Sequence, residues 1–480
     1  MSLLYLIFFL LVDAAILKSI FFWVYLWQLK DYRIDRFLAE YGRSEILYRF
    51  WLGSGGRVWR KPRWTPKAVL LTVAVLAVFV LFALRIPAHL IVPANVASNI
   101  AALINLVLFY LLVPFVVLGA VLILKIPTRF ARGAIFRRAR MKIAAQKNLL
   151  IIGITGSYGK SSTKEFVAQV LSHKWKVAKT PQNVNTEVGI SQWILSSLPA
   201  DAQIAVIEMG AYKRGEIKQT CEIAPPHVGI LTGVNEQHLA MMGSLDNIKK
   251  TKFELIENLS KSAVSLGKKV IEPMAFFNGE DRNVLSLAEA WTGKGLIYRF
   301  PAHGHELPLP RYYSVNLEAA VNVGRYLGMT EAELNAAVKK VEPTDRMTTT
   351  RIAADGILVI DDTYSVNPDG AIAALDFLRE QNRRFKVAVM PSLIELGAEA
   401  AAVHERIGEK IFESCDLAII TTPEHFEDIR RGSGSKVMLA ATPDAVTNIF
   451  EKFAERKLHR DVAVLLEGRL PAAVISYFEK

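Results

Sequence analysis

Residues 148–171 read N-L-L-I-I-G-I-T-G-S-Y-G-K-S-S-T-K-E-F-V-A-Q-V-L, and this stretch decides the fold. The apolar residues from Asn148 to Thr155 predict a buried strand. A glycine turn follows, and a helical pattern then continues to Leu171. A strand, a glycine turn and a helix N-terminus together gather backbone N–H groups and a helix dipole at one point. The segment therefore predicts a phosphate-binding loop in an α/β domain.

The glycine turn departs from the common Walker pattern. That pattern has a glycine five residues before Gly159, where this chain has Ile154, so the turn is a tighter variant written T-G-S-x-G-K-S. We expect Lys160 to reach the β- and γ-phosphates of a nucleotide and the Ser161 hydroxyl to hold Mg²⁺.

Three chemically useful side chains follow the loop. Buried strands are predicted over Ile204 to Gly210 and His227 to Val234. Glu208 ends the first strand, His238 follows the second, and Lys252 lies in the next helical segment. Because α/β sheets bind their ligands at the carboxyl ends of their strands, these residues indicate a metal and phosphate site rather than three unrelated structural positions.

The last third of the chain again alternates strand and helix patterns, which predicts a second α/β sheet. A hinge is expected around Pro343–Thr344. The predicted strands are Gly356 to Tyr364, Phe385 to Met390, Leu417 to Thr421 and Val462 to Leu466, and the predicted helices are Asp369 to Gln381 and Ala402 to Cys415.

The first 130 residues are dominated by apolar side chains. Membrane-spanning helices need ~20 mostly apolar residues. The sequence predicts about three of them, near 3–29, 68–86 and 100–124, with a short turn around Pro87–Pro93. The first is interrupted by Asp13 and Lys18, which mark either a function inside the bilayer or a helix end whose side chains reach the headgroups.

Charge sets the expected orientation of these helices. Lys30 to Lys67 carries ten Lys or Arg against four acids, and Lys125 to Asn148 carries eight and no acid. The loop between the last two helices carries only His89 as a basic residue. We therefore expect a multi-pass protein of the cytoplasmic membrane, with the N-terminus outside and everything after Lys125 in the cytoplasm. The segment Trp23 to Trp51 is expected to lie against the headgroups.

The basic excess does not indicate a nucleic-acid partner. The formal net charge is +12, but the basic residues are concentrated beside the apolar segments, where membrane orientation accounts for them. Only two cysteines, Cys221 and Cys415, are present, which excludes a disulfide framework and a cysteine-based zinc site.

Several motifs resemble those of the Mur ligase family, most closely its MurF-type branch, which adds D-alanyl-D-alanine to a UDP-muramoyl tripeptide. The resemblance covers about residues 148–470. The matching segments are Gly153 to Glu165, Thr180 to Gly189, Ala205 to Ala211, His238 to Ser244, Lys252 to Leu255, Asp345–Arg346, Ile360 to Pro368, and Glu395 to Gly397 followed by His404.

Hydropathy and charge predict a membrane region over residues 1–130 and a basic juxtamembrane linker over 131–147. The resemblance implies an ATP-binding central ligase domain over 148–342, a C-terminal ligase domain over 343–480 and a role for each site residue. ATP would be bound by Gly156, Ser157, Gly159, Lys160, Ser161, Ser162, Asn185, Asn316, Arg346 and Asp362. Mg²⁺ would be held by Ser161, Glu208, His238 and Lys252, with Lys252 carbamylated. Catalysis would fall to Lys160, Lys252, His238 and Arg346.

The implied reaction is ATP-dependent formation of an amide bond. The γ-phosphoryl group is transferred to a carboxylate, and an amine then attacks the acyl phosphate with loss of phosphate. The implied carboxylate is a muramoyl-peptide-like cell-wall precursor at the membrane, in soluble or lipid-linked form, and the implied amine is an amino acid or dipeptide. Two alternatives stay open: a ligase for another lipid-linked or polymeric carboxylate, and a membrane scaffold that binds nucleotide without catalysis.

The sequence also departs from the family pattern. The membrane helices stand where the family has its UDP-sugar domain. The adenine-contacting motif is reduced to Val315-Asn316, and Ala240 stands where an acid usually follows His-Leu. Met390-Pro391 replaces a glycine and an aspartate, and Glu467-Gly468-Arg469 replaces the usual K-G-S. These changes affect the expected substrate contacts more than the expected ATP chemistry.

Overall fold

The computed structural model describes residues 3–30, 32–34, 37, 61–84, 96–299, 311–342, 344, 347–364, 367–456 and 458–479. The chain divides into two compact units, Met1–Ala134 and Ile135–Lys480. The turn around Pro87–Pro93 and the greater part of the predicted headgroup segment lie outside the described residues.

The first unit is built from long apolar helices. The helices are α1 (Leu3–Leu29), α2 (Pro66–Leu84) and the greater part of α3 (Val96–Ala145), whose end from Ile135 belongs to the second unit. Three stretches in them are long and apolar enough to cross a membrane: Leu10–Leu29, Pro66–Ala83 and Leu103–Ala145. Side chains such as Leu81 and Phe115 are fully apolar and exposed, as lipid-facing positions would be. Three candidate spans therefore occupy the region where three helices were predicted.

Helix α3 extends further than the sequence pattern indicates. The third apolar helix was expected over about 100–124, and the helix continues without interruption to Ala145, through most of the stretch 131–147 that was expected to be a basic juxtamembrane linker. Alanine, arginine, lysine and methionine dominate this stretch, and all four favour helices. The apolar pattern stops near Leu124, so hydropathy alone places the end of the helix too early.

The second unit begins with a six-stranded parallel sheet in the order β2-β3-β1-β4-β7-β8. Apolar side chains cover both of its faces, as a parallel sheet requires. Its strands are β1 (Leu150–Thr155), β2 (Val177–Lys179), β3 (Ile204–Glu208), β4 (Val228–Leu231), β7 (Met274–Asn278) and β8 (Gly295–Tyr298), and β5 (Val264–Leu266) and β6 (Lys269–Ile271) form a separate hairpin. The helices of this domain are α4 (Lys160–Leu171), α5 (Glu187–Ser197), α6 (Glu216–Ile223), α7 (Leu239–Met242), α8 (Leu245–Glu257), α9 (Arg282–Glu289), α10 (Arg311–Leu327) and α11 (Glu331–Val338).

A second six-stranded sheet follows in the order β13-β12-β11-β14-β10-β9. All neighbouring pairs are parallel except β9 with β10. Its strands are β9 (Thr349–Ile352), β10 (Leu358–Asp362), β11 (Phe385–Met390), β12 (Leu417–Ile420), β13 (Val437–Leu439) and β14 (Val462–Glu467). Its helices are α12 (Pro368–Glu380), α13 (Ala400–Ser414), α14 (Phe426–Ser433), α15 (Pro443–Glu455) and α16 (Ala472–Phe478). The predicted α/β class, with a central and a C-terminal sheet, is confirmed.

Capping side chains determine where the helices that flank the cavity begin. Helix α8 begins after Ser244, whose hydroxyl accepts a hydrogen bond from the Asn247 N–H at 3.1 Å. Helix α12 begins after Asn367, whose side chain accepts from the Gly370 N–H at 2.9 Å, and Pro368 occupies its first turn. Such caps satisfy N–H groups that have no partner inside the helix.

A candidate nucleotide and substrate cavity

One cavity of about 540 Å³ opens between the central and C-terminal domains of the second unit. Nine of the predicted site residues line it: Ser157, Gly159, Lys160, Ser161, Ser162, Asn185, Glu208, His238 and Lys252. Residues from the ends of β1, β3 and β4 therefore meet at the carboxyl edge of the central sheet, where α/β proteins bind ligands.

The phosphate loop connects β1 directly to α4. Gly159 caps the helix in the left-handed conformation, with φ 76°. A Cβ atom at Gly156 would lie 2.2 Å from the Thr232 hydroxyl oxygen, so the loop passes too close to the neighbouring strand for any other residue. Lys160 Nζ donates to the carbonyl oxygens of Gly156 and Ser157, at 2.8 Å each. Burial lowers the pKa of Lys160, and Glu208 opposes that shift.

Glu208 forms the acidic centre of the cavity. It is 3% exposed, and its carboxylate accepts from Ser161 Oγ at 2.9 Å and from Asn185 Nδ2 at 3.0 Å. Lys164 Nζ lies 3.4 Å from the same carboxylate. A carboxylate and a hydroxyl held together beside a phosphate loop match the oxygen ligands that Mg²⁺ prefers.

Lys252 is a buried amine on helix α8. Its side chain is 2% exposed, and Nζ lies 3.4 Å from the Ala211 carbonyl oxygen. Burial lowers the pKa of Lys252 to about 7, with a further lowering by the charge of Lys160 and an opposing effect from Glu216 and Glu254. A large fraction of this amine is therefore neutral, and hence nucleophilic, near neutral pH.

His238 lies on the cavity wall and contacts the C-terminal domain. Its Nδ1 atom is 2.5 Å from the Glu395 carboxylate, and its ring packs against Tyr212 with centroids 5.0 Å apart. Burial lowers the pKa of His238, the Glu395 hydrogen bond opposes that shift, and the charges of Lys252 and Lys160 lower it further.

Three more hydrogen bonds join the domains around the cavity. The Tyr364 hydroxyl donates to Asn183 Oδ1 at 2.8 Å. Asn235 Nδ2 donates to the carboxylate of Asp369 at 2.6 Å and to Asn367 Oδ1 at 3.3 Å. Burial raises the pKa of Asp369.

The remaining predicted residues lie elsewhere. Asn316 sits behind the loop and donates from Nδ2 to Ser162 Oγ at 2.8 Å. Asp362 is 1% exposed at the end of β10, opposite Glu467 of β14, and does not line the cavity. Burial and the neighbouring Asp362 charge raise the pKa of Glu467 well above its usual range. Arg346 lies outside the described residues.

The oxygen ligands in the cavity fit an Mg²⁺ ion that is also bound by a nucleotide better than an Mg²⁺ ion that is bound by protein side chains alone. Within the described ranges there is no group of three or more His, Cys, Asp or Glu that would hold a metal by itself. Mg²⁺ typically takes one or two carboxylates and completes its shell with water and phosphate oxygens. Glu208 and Ser161 supply such a partial set.

Sequence reasoning missed several cavity residues. Tyr212, Asn183, Tyr364 and Arg469 line the cavity, and Glu395 bonds to His238. Tyr364 and Glu395 belong to motifs that were recognised, but nothing in those motifs indicates that either residue contacts the central domain. Those contacts depend on how the two sheets pack.

Comparison with known proteins matches both halves of the second unit. Residues 154–291 match the Mur ligase middle domain, and residues 345–468 match the Mur ligase glutamate ligase domain. Together these ranges span more than half of the chain. A UDP-N-acetylmuramoyl-tripeptide–D-alanyl-D-alanine ligase from Synechocystis sp. is 30% identical over 279 residues, which cover 54% of this chain and 59% of that relative.

Solved structures give the same result for the fold. MurF from Acinetobacter baumannii aligns with a TM-score of 0.64 and 24% identity, over 73% of this chain and 81% of that one. MurF ligase from Thermotoga maritima, solved in complex with ADP, aligns with a TM-score of 0.60 and 25% identity, over 72% and 83% of the two chains.

Proposed function

We propose that this chain, which belongs to the Mur ligase family, is an ATP-dependent ligase that joins a carboxylate to an amine in the synthesis of a peptidoglycan precursor. The observation that carries the proposal is the cavity itself. It combines a phosphate loop with a buried carboxylate, a histidine and a buried amine, at Lys160, Glu208, His238 and Lys252.

The proposed reaction has two steps. A carboxylate oxygen of the first substrate attacks the γ-phosphorus of ATP, the bond from that phosphorus to the β–γ bridging oxygen breaks, and ADP leaves. The amine of the second substrate then attacks the acyl carbon, the C–O bond to phosphate breaks, and inorganic phosphate and a proton are released. Such transfers depend on positioning and on charge neutralisation. In this chain Lys160 and Arg346 would supply the positive charge.

The nucleotide would lie along the loop from Gly156 to Ser162. Asn185 would approach the γ-phosphate, and Asn316 would approach the adenine from behind the loop. Arg346 would contact the phosphates from the C-terminal domain, whereas Asp362 is buried away from the cavity and is not proposed as a ribose contact. The T. maritima relative was solved in complex with ADP, which supports the proposal that this chain binds a nucleotide.

Magnesium would be held by Ser161 and Glu208 at one position and by His238 and a modified Lys252 at a second. When bound, Mg²⁺ supplies charge neutralisation on the phosphate oxygens. The hydrogen bond from Ser161 to Glu208 already holds these two ligand groups 2.9 Å apart, and the bond from Asn185 fixes the other carboxylate oxygen.

We infer carbamylation of Lys252 from its burial and its lowered pKa. The neutral amine attacks the carbon of CO₂, and one proton is released, so that R–NH₂ and CO₂ give R–NH–COO⁻ and H⁺. This converts a buried amine into an anion that attracts Mg²⁺. Lys160 lies close enough to influence the Lys252 pKa and would stabilise the new negative charge.

The substrates are inferred from the relatives. They are named for a UDP-N-acetylmuramoyl-tripeptide and for D-alanyl-D-alanine, and this chain spans 59% of the length of the Synechocystis relative. We therefore propose a muramoyl-peptide-like carboxylate and an amino acid or dipeptide amine as the first compounds to test.

A membrane-associated form of the carboxylate is a second candidate, and three candidate membrane spans favour it. The positive-inside rule, applied to the charges around these spans, favours ligase domains on the cytoplasmic side. An enzyme anchored at a membrane meets substrates confined to the same leaflet at a raised local concentration. A lipid-linked muramoyl peptide, or another lipid-linked or polymeric carboxylate, fits this setting.

The test uses the full chain in lipid nanodiscs with ATP, Mg²⁺, D-alanyl-D-alanine and the muramoyl tripeptide in UDP-linked and lipid-linked forms. Mass spectrometry should detect a product that is heavier than the tripeptide by the dipeptide minus one water. A product from the lipid-linked form at the higher kcat/KM supports the membrane proposal, and preference for the UDP-linked form rejects it. No ATP-dependent product from either form rejects a muramoyl-peptide substrate.

A further inference from the structure

His238 and Glu395 form a contact between the two ligase domains at the cavity wall. His238 follows strand β4 in the central domain, and Glu395 follows strand β11 in the C-terminal domain. Nδ1 of His238 and a carboxylate oxygen of Glu395 are 2.5 Å apart. The two residues are 157 positions apart in the sequence, so the contact exists only when the domains are packed together.

The backbone holds both residues in an unusual conformation. His238 has φ 68° and Glu395 has φ 66°, and both lie in the left-handed region that non-glycine residues avoid. The Ala240 N–H donates to the Glu395 carbonyl oxygen at 3.2 Å. A Cβ atom added at Gly397 would come within 3.1 Å of the Ala240 backbone. Backbone strain of this kind is retained where the surrounding structure specifies it, often at functional sites.

The hydrogen bond determines which ring nitrogen is available to a ligand. An ionised carboxylate only accepts hydrogen bonds, so Nδ1 of His238 must carry the hydrogen. Nε2 then holds a lone pair. A neutral imidazole in this tautomer is a metal ligand, and carboxylates commonly fix the tautomer and orientation of metal-binding histidines. The donor chemistry therefore fits the magnesium site to which His238 was assigned.

We propose that Glu395 is a positioning residue, which fixes the tautomer of His238 and so makes metal binding in the central domain depend on docking of the C-terminal domain. The proposal rests on the proposed function only for the identity of the ligand, a metal–nucleotide complex. It differs from a purely structural role because it requires an oxygen that accepts the hydrogen bond from Nδ1 of His238 and not only the shape of the loop.

Three variants separate these roles. Glu395→Gly keeps a residue suited to the left-handed backbone but removes the carboxylate. Glu395→Gln keeps an oxygen that accepts from Nδ1. Glu399→Gln changes an exposed acid four residues further along the same loop and is the matched control.

Two measurements that do not depend on turnover are made on the full chain. Mn²⁺ serves as a paramagnetic probe for Mg²⁺, and its affinity is measured by EPR in the presence of a non-hydrolysable ATP analogue. The tautomer of His238 is read from ¹⁵N chemical shifts of histidine-labelled protein. The chain has nine histidines, so the His238 signals are assigned as those lost in His238→Gln.

We expect Glu395→Gly to weaken Mn²⁺ binding by about 10- to 100-fold, the usual effect of removing a group that orients a metal ligand. Its His238 should lose the Nδ1–H tautomer, whereas Glu395→Gln and Glu399→Gln should stay close to the wild type in both measurements. Unchanged Mn²⁺ affinity or an unchanged tautomer in Glu395→Gly would overturn the proposal. Because neither measurement needs substrate, a chain inactive on muramoyl peptides leaves this test intact.

Discussion

At the scale of single residues, burial changes the chemistry of Lys252. An ordinary lysine is protonated at neutral pH, but burial lowers the Lys252 pKa to about 7. The charge of Lys160 acts in the same direction. A side chain that is 2% exposed is poorly solvated as a cation, which favours the neutral amine, the form that reacts with CO₂.

Replacing Lys252 by alanine should reduce turnover by at least about 100-fold, because a carboxylate ligand to the metal is lost. Formate or acetate should restore part of the activity by occupying the space that the carbamate leaves. Lys250→Ala, on the exposed side of the same helix, is the control and should keep its activity. Full activity of Lys252→Ala without added acid would show that the lysine has no such role.

Activation of the enzyme by carbamylation of Lys252 should become slower as the pH falls. Only the neutral amine reacts with CO₂, so the fraction of Lys252 that can be carbamylated falls as the pH drops below about 7. Enzyme stripped of CO₂ should regain activity when CO₂ is supplied at the same dissolved concentration at each pH, and the rate of recovery should then rise between pH 6 and 8, roughly one unit either side of that pKa. A recovery rate that is independent of pH would contradict the lowered pKa.

At the scale of secondary-structure elements, the sequence predicts best those features that are built from consecutive residues. Strand β1, the glycine turn and helix α4 are consecutive, so the phosphate loop is recognisable from 24 residues without tertiary information. Short strands such as Val177–Lys179 and Val437–Leu439 were missed because three residues carry too little pattern. The Asp362 position and the bond between His238 and Glu395 depend on packing between distant segments, which no local pattern encodes.

The end of helix α3 packs against the central domain, and its contribution to the stability of that domain can be measured. Ala139 and Ile143 are buried against the central domain, and Lys142 Nζ donates to the carbonyl oxygens of Leu195 and Leu198 at the end of helix α5. Ile143→Ala should lower the free energy of unfolding of this domain by about 2–4 kcal/mol, seen as an earlier urea transition. Exposed Met141→Ala should change it by less than about 0.5 kcal/mol. Equal effects would show that the helix end does not stabilise the domain.

At the scale of the whole molecule, ATP-dependent catalysis requires the ligase domains to lie on the cytoplasmic side of the membrane. The native cysteines are both buried, so cysteines introduced beside Met1 and beside Lys480 can be labelled separately. A reagent that does not cross the bilayer should label the first site and not the second in intact cells. The reverse labelling pattern would place the ligase domains away from cytoplasmic ATP.

The most direct test of the central claim follows oxygen atoms from substrate to phosphate. The muramoyl-tripeptide substrate is labelled with ¹⁸O in its reacting carboxylate, and the chain is supplied with ATP, Mg²⁺ and D-alanyl-D-alanine. An acyl phosphate transfers one carboxylate oxygen to the released phosphate, so mass spectrometry should find one ¹⁸O in phosphate for each amide formed, and Lys160→Ala should form neither product. Amide formation with unlabelled phosphate, or undiminished turnover by Lys160→Ala, would contradict the account.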